Sequence, residues 1–310
     1  MTRSDGTDTV DLRVVQTTGA TSADPTRDAM ILMTLAAVLL VQSPPARDAE
    51  IRSVAVSVVD GKGAPVPGLL KDDVAVLENG VAREVTRVEV DATPLVLAVL
   101  VDNSQEVGSS YRLYIVDAVG ALLAHLPDGT RFTVWTTGDR PTKLTDLAED
   151  VGAAVQALKR SPTTGGNTVL DALVEATRDL KKQEGSRSAV IVVTGTTTSF
   201  SNRDRTRVVE EARKNADLFL AVQFQEGSAD VEARTDYGYA LDNLTRKSGG
   251  LLETPLSAMG VPQSLQRLGA ELRRYRVSYA TLPELKDRKI DVQVARSGAK
   301  VRVGVSLSTP

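Results

Sequence analysis

Three short stretches carry the side chains best suited to chemistry. Asp102-Asn103-Ser104-Gln105-Glu106 follows directly on the apolar run PLVLAVLVD. Gly165-Gly166 precede Thr168 in TTGGNTVLDAL, and Thr194, Gly195 and Thr196 end the segment SAVIVVTGT. If these loops meet, their carboxylate and hydroxyl oxygens form a hard donor set of the kind that suits Mg²⁺, which takes a few protein oxygens and retains waters. The same residues have plainer uses. Asp102 could cap its own loop by accepting backbone N–H bonds, and Thr168 could be the N-cap of the helix it precedes. The hydroxyl-rich, charge-poor run T-G-T-T-T-S (194–199) reads as a solvated loop.

For these loops to meet, the segments before them must be neighbouring strands. PLVLAVLVD (94–102) is a continuous apolar run ending in an acid, as expected for a strand buried on both faces. YRLYIVDAVGALLAHL (111–126) has helical periodicity and stops at Pro127-Asp128-Gly129. RFTVWTTGD (131–139) reads as a strand with Trp135 in the core. Amphipathic helices EDVGAAVQALKR and TVLDALVEATRDLKKQ follow, then strand SAVIVVTG (188–195), helix RDRTRVVEEARKNA and strand DLFLAVQF (217–224). Helices near 235–247 and 257–272 close the unit. This alternation predicts an α/β fold, a doubly wound, mostly parallel sheet with helices on both faces. Ligands of such sheets sit at the carboxyl ends of the strands, where the three loops lie.

The flanks differ. Residues 50–92 alternate apolar and polar, with Asn79-Gly80 between two such runs as a hairpin signal. Residues 273–308 alternate likewise, and Ser297-Gly298 reads as a second hairpin turn. The expectation is one small β-sandwich made of 50–92 and 273–308, with the α/β unit inserted at 94–271. Ahead of it lie a polar, disordered extension (1–28) and the apolar run AMILMTLAAVLLV (29–41). As a helix this run spans about 20 Å, short of a bilayer core. Residues 29–46 therefore read as a signal peptide, with cleavage near Ser43–Ala46, or as a short membrane anchor. A true start at Met30 or Met33 would explain the polar residues in front. The expected location is secreted or periplasmic, with membrane contact only through that segment.

Composition narrows the chemistry. A net charge of −3 over 310 residues, with no basic stripe, argues against nucleic-acid binding by bulk electrostatics. The absence of cysteine removes thiolate sites and disulfides, and the single histidine, His125, reads as a helix-end capping residue. No G-x-x-x-x-G-K-[ST], G-x-G-x-x-G or G-x-S-x-G element stands in a suitable context. Asp102 as a phosphoryl-accepting nucleophile is the one enzyme reading with a candidate residue. Such enzymes want a second acid two residues on, and this chain has Ser104 there.

Residues 94–270 resemble the von Willebrand factor A family, known from integrin inserted domains and many bacterial proteins. Its metal-ion-dependent adhesion site reads D-x-S-x-S after the first strand, a Thr before a later helix, and an Asp after the fourth strand. Asp102 and Ser104 match the first two positions, Glu106 stands at the second Ser, Thr168 matches the Thr, and Gly195 stands where the Asp belongs. The flanks resemble secreted bacterial proteins in which such a domain follows a G-x-P-V-x-G-L…E-x-G leader, here GAPVPGLLKDDVAVLENG. The resemblance implies a non-enzymatic protein-binding or adhesion module with a degenerate cation site. Its ligands would be Asp102, Ser104, Glu106 and Thr168, its ion Mg²⁺, and its partner a protein supplying an acidic side chain. A metal-free structural or assembly scaffold is the alternative.

Overall fold

The computed structural model describes residues 50–226, 231–281 and 288–307. The expected extension (1–28) and apolar leader (29–46) lie outside the described residues. The chain divides into two compact units, one of Ala92–Leu272 and one of the flanks up to Asp91 and from Arg273.

The flanking unit contains β1 (Glu50–Val59), β2 (Val74–Glu78), β3 (Val81–Arg83) and β4 (Val85–Val90). The α/β unit contains β5 (Leu95–Val101), β6 (Arg131–Thr136), β7 (Thr142–Lys143), β8 (Arg187–Gly195), β9 (Leu218–Phe224) and β10 (Leu252–Glu253). Its sheet order is β10-β9-β8-β5-β6-β7, parallel except for β7, which runs antiparallel to β6. Every residue of β5 is buried, because this strand is central and covered on both sides. Leu95, Leu97, Val99 and Val101 face one core with α1 (Val116–Ala124), α2 (Val151–Arg160) and α6 (Val261–Glu271). Val96, Ala98 and Leu100 face the other core with α3 (Val169–Leu180), α4 (Arg205–Arg213) and α5 (Val231–Lys247). Two-residue side-chain alternation thus divides the strand between two helical layers.

The helices follow their sequence logic. In α3, Val169, Leu170, Leu173, Val174, Thr177 and Leu180 are buried, a stripe at helical spacing. Asp150 and Asp204 cap α2 and α4 by accepting from the N–H groups of Ala153 (2.8 Å) and Arg207 (3.0 Å). The first helical segment begins earlier than the periodicity indicates, at Gly108, and passes through a π-helical turn at Tyr111–Ile115 before α1. The buried Tyr111 hydroxyl donates to Leu158 O (2.8 Å), tying that turn to α2. Strand β6 stops at Thr136, short of the expected Asp139, and residue 139 turns out of the sheet at φ 66°.

In the flanking unit, β11 (Tyr275–Thr281), β12 (Ile290–Val294) and β13 (Lys300–Leu307) join the four N-terminal strands. One sheet runs β13-β1-β11-β4 and a second β12-β2-β3, and Val54, Val56, Val277, Tyr279, Val76 and Val292 share one core. Asn79 (φ 53°) and Gly80 (φ 79°) form the two-residue turn of the β2–β3 hairpin. The hairpin expected at Ser297-Gly298 is not formed: β12 pairs with β2 and β13 with β1. That segment is instead a corner between two sheets, because each strand fills an open edge of a different one.

A hydrogen-bonded hub at the carboxyl edge of the sheet

Asp102 leaves β5 at the carboxyl edge, 1% exposed, its N–H held by Val193 O (2.8 Å). Oδ1 accepts from Ser104 N (2.9 Å). Oδ2 lies within reach of Asn167 Nδ2 (2.7 Å), Thr194 Oγ1 (3.0 Å), Gly195 N (3.2 Å) and Thr197 Oγ1 (3.3 Å). Donors from three loops therefore converge on one carboxylate. Burial pushes its pKa above the ordinary value, against a downward pull from the Ser104, Gly195 and Thr194 hydrogen bonds.

Asn167 is the second centre of the hub and is wholly buried. Its Nδ2 also reaches Thr194 Oγ1 (2.8 Å) and Thr197 Oγ1 (3.0 Å), while its Oδ1 accepts from Thr137 Oγ1 (2.7 Å) and Val169 N (3.1 Å). Its carbonyl accepts from Phe200 N and from the Tyr237 hydroxyl. The segment 164–168 is clamped by the loop after β5 and the turn after β6. Thr164 N donates to Asn103 O, Gln105 N to Gly165 O, and Asp139 N to Gly166 O. The exposed Phe200 ring lies so close over Gly166 that a Cβ there would stand 1.9 Å from it and would have to displace it.

The five positions singled out from the sequence fare differently. Asp102 and Ser104 lie together, and Ser104 Oγ is wholly buried without a hydrogen-bond partner, although it stands near enough to Asp102 to help stabilise its charge. Glu106 is exposed, and its Oε1 accepts from Thr198 N (3.0 Å), bracing one loop on another. Thr168 turns away: its hydroxyl donates to Thr137 O (2.7 Å) and makes no capping bond at the start of α3. Gly195 offers Asp102 its N–H and accepts from Thr194 Oγ1 through its carbonyl (3.1 Å), and a Cβ there would meet Val107 Cγ1 at 2.8 Å.

These donors do not fit a resident cation. An ion needs oxygen lone pairs aimed at one point, and Asp102 Oδ2 is already ringed by N–H and O–H groups. Asn167 offers that point an N–H, Glu106 is engaged elsewhere, and Gly195 has no room for a carboxylate. Ser104 Oγ is the one spare ligand. Among the described residues no group of three His, Asp or Glu gathers at all.

Sequence reasoning missed Asn167, Thr197 and Asn103. Asn167 carried a signal, being the one residue of the loop able both to cap Val169 and to donate to a carboxylate. Its neighbour Thr168 turns its hydroxyl to Thr137 O instead. Thr197 looked like part of a solvated run, and only the loop's path buries it.

The family model described as von Willebrand factor type A domain matches residues 97–197. No curated protein sequence matches the chain. Among solved structures, a von Willebrand factor type A protein from Catenulispora acidiphila is similar, with 11% identity, coverage of 84% of this chain and 74% of that one, and a TM-score of 0.52. Proximal thread matrix protein 1 from the mussel byssus, with a zinc-occupied MIDAS motif, aligns at 18% identity over 63% of this chain with a TM-score of 0.49. This chain spans half the length of that mussel protein.

Proposed function

We propose that this chain is an exported, non-enzymatic binding or adhesion protein that recognises a protein partner through the loops at the carboxyl edge of its sheet, with no resident cation, a reading supported by the match of residues 97–197 to the von Willebrand factor type A domain. The observation that carries this is the Asp102–Asn167 hub. It locks the loops after β5, β6 and β8 into one preformed rim, so little ordering entropy opposes association. Phe200 crowns that rim, 57% exposed and seated on Gly166, an aromatic of a type enriched at interfaces. This exposed aromatic favours recognition over a purely structural scaffold.

The hub also speaks against an enzyme. A nucleophilic Asp102 would have to present a free lone pair to substrate, and its carboxylate is buried with both oxygens engaged. Export rests on the apolar leader at 29–41. Ser104's orphaned hydroxyl is the observation that favours a bound ion. Its weight is small, because one hydroxyl and one engaged carboxylate leave too few ligands.

The test is capture of a partner by the full chain from envelope and culture extracts of the producing cell, in EDTA and in Mg²⁺. The expected result is a partner held equally in both, lost with Phe200→Glu and retained with His125→Ala. Capture that needs Mg²⁺, or that ignores Phe200, would overturn the proposal.

A further inference from the structure

Beside the hub, a cavity of about 460 Å³ opens within the α/β unit, between the turn after β6, the end of α2 and the segment that follows it. Its size falls in the range of preformed ligand sites. Asn103 forms its floor and fixes both walls: Oδ1 accepts from Gly138 N (2.7 Å), and Nδ2 donates to Pro162 O (2.7 Å) and Ser161 Oγ (3.2 Å). The walls are close-packed, since a Cβ on Gly138 would lie 2.5 Å from Thr164 O and 2.7 Å from Asn103 Oδ1. Two arginines, Arg140 and Arg160, line this cavity. Both residues are exposed, and neither guanidinium has an ion-pair or hydrogen-bond partner among the described residues. Elsewhere Arg178, Arg203, Arg205 and Arg246 are each matched to a carboxylate, while the exposed Arg112, Arg207 and Arg213 are not matched among the described residues but do not line this cavity. The cavity thus keeps two unpaired cations in a chain whose net charge is −3.

We infer that this cavity receives an acidic side chain, Asp or Glu, from a protein partner, held by Arg140 and Arg160. Guanidinium groups match a carboxylate in shape and charge and bind it without any metal. Asp139 also lines the cavity and lowers its balance to a single positive charge. That balance suits one monoanionic carboxylate better than a dianion such as phosphate. The Thr142 and Thr164 side chains on the same lining offer further hydroxyl donors. The inference rests on the protein-binding reading and names the chemistry of its partner.

The experiment is fluorescence anisotropy of the full chain in EDTA, with a labelled hexaglutamate peptide and its hexaglutamine counterpart. The glutamate peptide is expected to bind at least tenfold more tightly and to weaken as salt rises. Arg140→Ala and Arg160→Ala should each weaken it about tenfold, with unchanged melting temperatures because neither residue is paired within the fold. Lys159→Ala, a neighbouring exposed cation outside the cavity, should leave binding unaltered. Equal binding of the two peptides, or binding indifferent to both arginines, overturns the inference. Displacement by glutarate or inorganic phosphate at the peptide's own concentrations would overturn it too, by making this a site for small anions. The two proposals fail separately. Loss of the peptide effect with Phe200-dependent capture intact removes the cavity alone, whereas failed capture with arginine-dependent peptide binding removes the rim.

Discussion

Replacing Asn167 with alanine strikes the hub at its centre, and the structure allows its effect to be worked out. Nδ2 carries two hydrogens, one directed to Asp102 Oδ2 at 2.7 Å and the other shared between Thr194 and Thr197. The bond to the carboxylate is charge-assisted and is worth about 1.5–3 kcal/mol. Loss of Oδ1 strands the Thr137 hydroxyl and the Val169 N–H, both buried, at about 1 kcal/mol or more each. Rotation of the threonine hydroxyls returns part of this, leaving a net loss of roughly 3–5 kcal/mol. For a domain of this size that lowers Tm by about 6–20 °C, measurable by calorimetry or urea unfolding. A loss below about 1 kcal/mol would refute the hub as the device that fixes the rim. Asn167→Asp supplies the complementary arm. A second carboxylate facing Asp102, with Ser104 Oγ spare beside it, makes a cation site where the native residues make none. This variant, and not the wild type, should gain stability on adding Mg²⁺, by about 2.7 kcal/mol at a hundred times Kd. A wild-type rise of that size would refute the reading of the native donors.

Four further outcomes follow from the same contacts. Ser104→Ala removes a buried hydroxyl that has no partner, so urea unfolding should shift by no more than about 1 kcal/mol in either direction. Gly195→Asp, which would complete the family's motif, should destabilise by about 1–3 kcal/mol and confer no Mg²⁺ response in the melt, because its Cβ collides with Val107. The Asp102 carboxyl, raised by burial, should titrate in a ¹³C NMR experiment above the ordinary 3.8. Since the folded form holds that proton more tightly than the unfolded one, its contribution to stability is complete below pH 3.8 and fades as pH rises through the folded pKa. Urea stability of wild type and Asp102→Asn, compared across that window, measures it. In the flanking unit Glu78 is wholly buried between Arg83 (2.8 Å) and Arg288 (3.4 Å), so Glu78→Ala should lose about 3–5 kcal/mol in the same assay by removing the carboxylate that faces both guanidinium groups.

How much of the site was legible differs by residue. Asp102 and Ser104 could be placed because an acid directly after a continuous apolar run has to lie at the end of a buried strand. Thr168 could not be told from Asn167, because a short loop with Gly165 at φ 56° turns successive side chains by amounts that no periodicity records. Glu106 has the right charge in the right loop, yet it meets the Thr198 N–H at the surface. Ser297-Gly298 has the composition of a hairpin turn, but which edge each following strand fills depends on strands more than 200 residues away in the chain.

The amino-acid sequence alone determined the alternation of strands and helices, the two helical layers and the edge at which chemistry would gather. These follow from where apolar side chains fall at periods of two and 3.6, a local property of the chain. Only the tertiary structure decided what occupies that edge: an amide that satisfies Asp102, and a cavity with two unpaired arginines beside it. Both depend on the paths of loops brought together from distant segments, where one ångström or one residue separates an ion's ligand from a hydrogen bond.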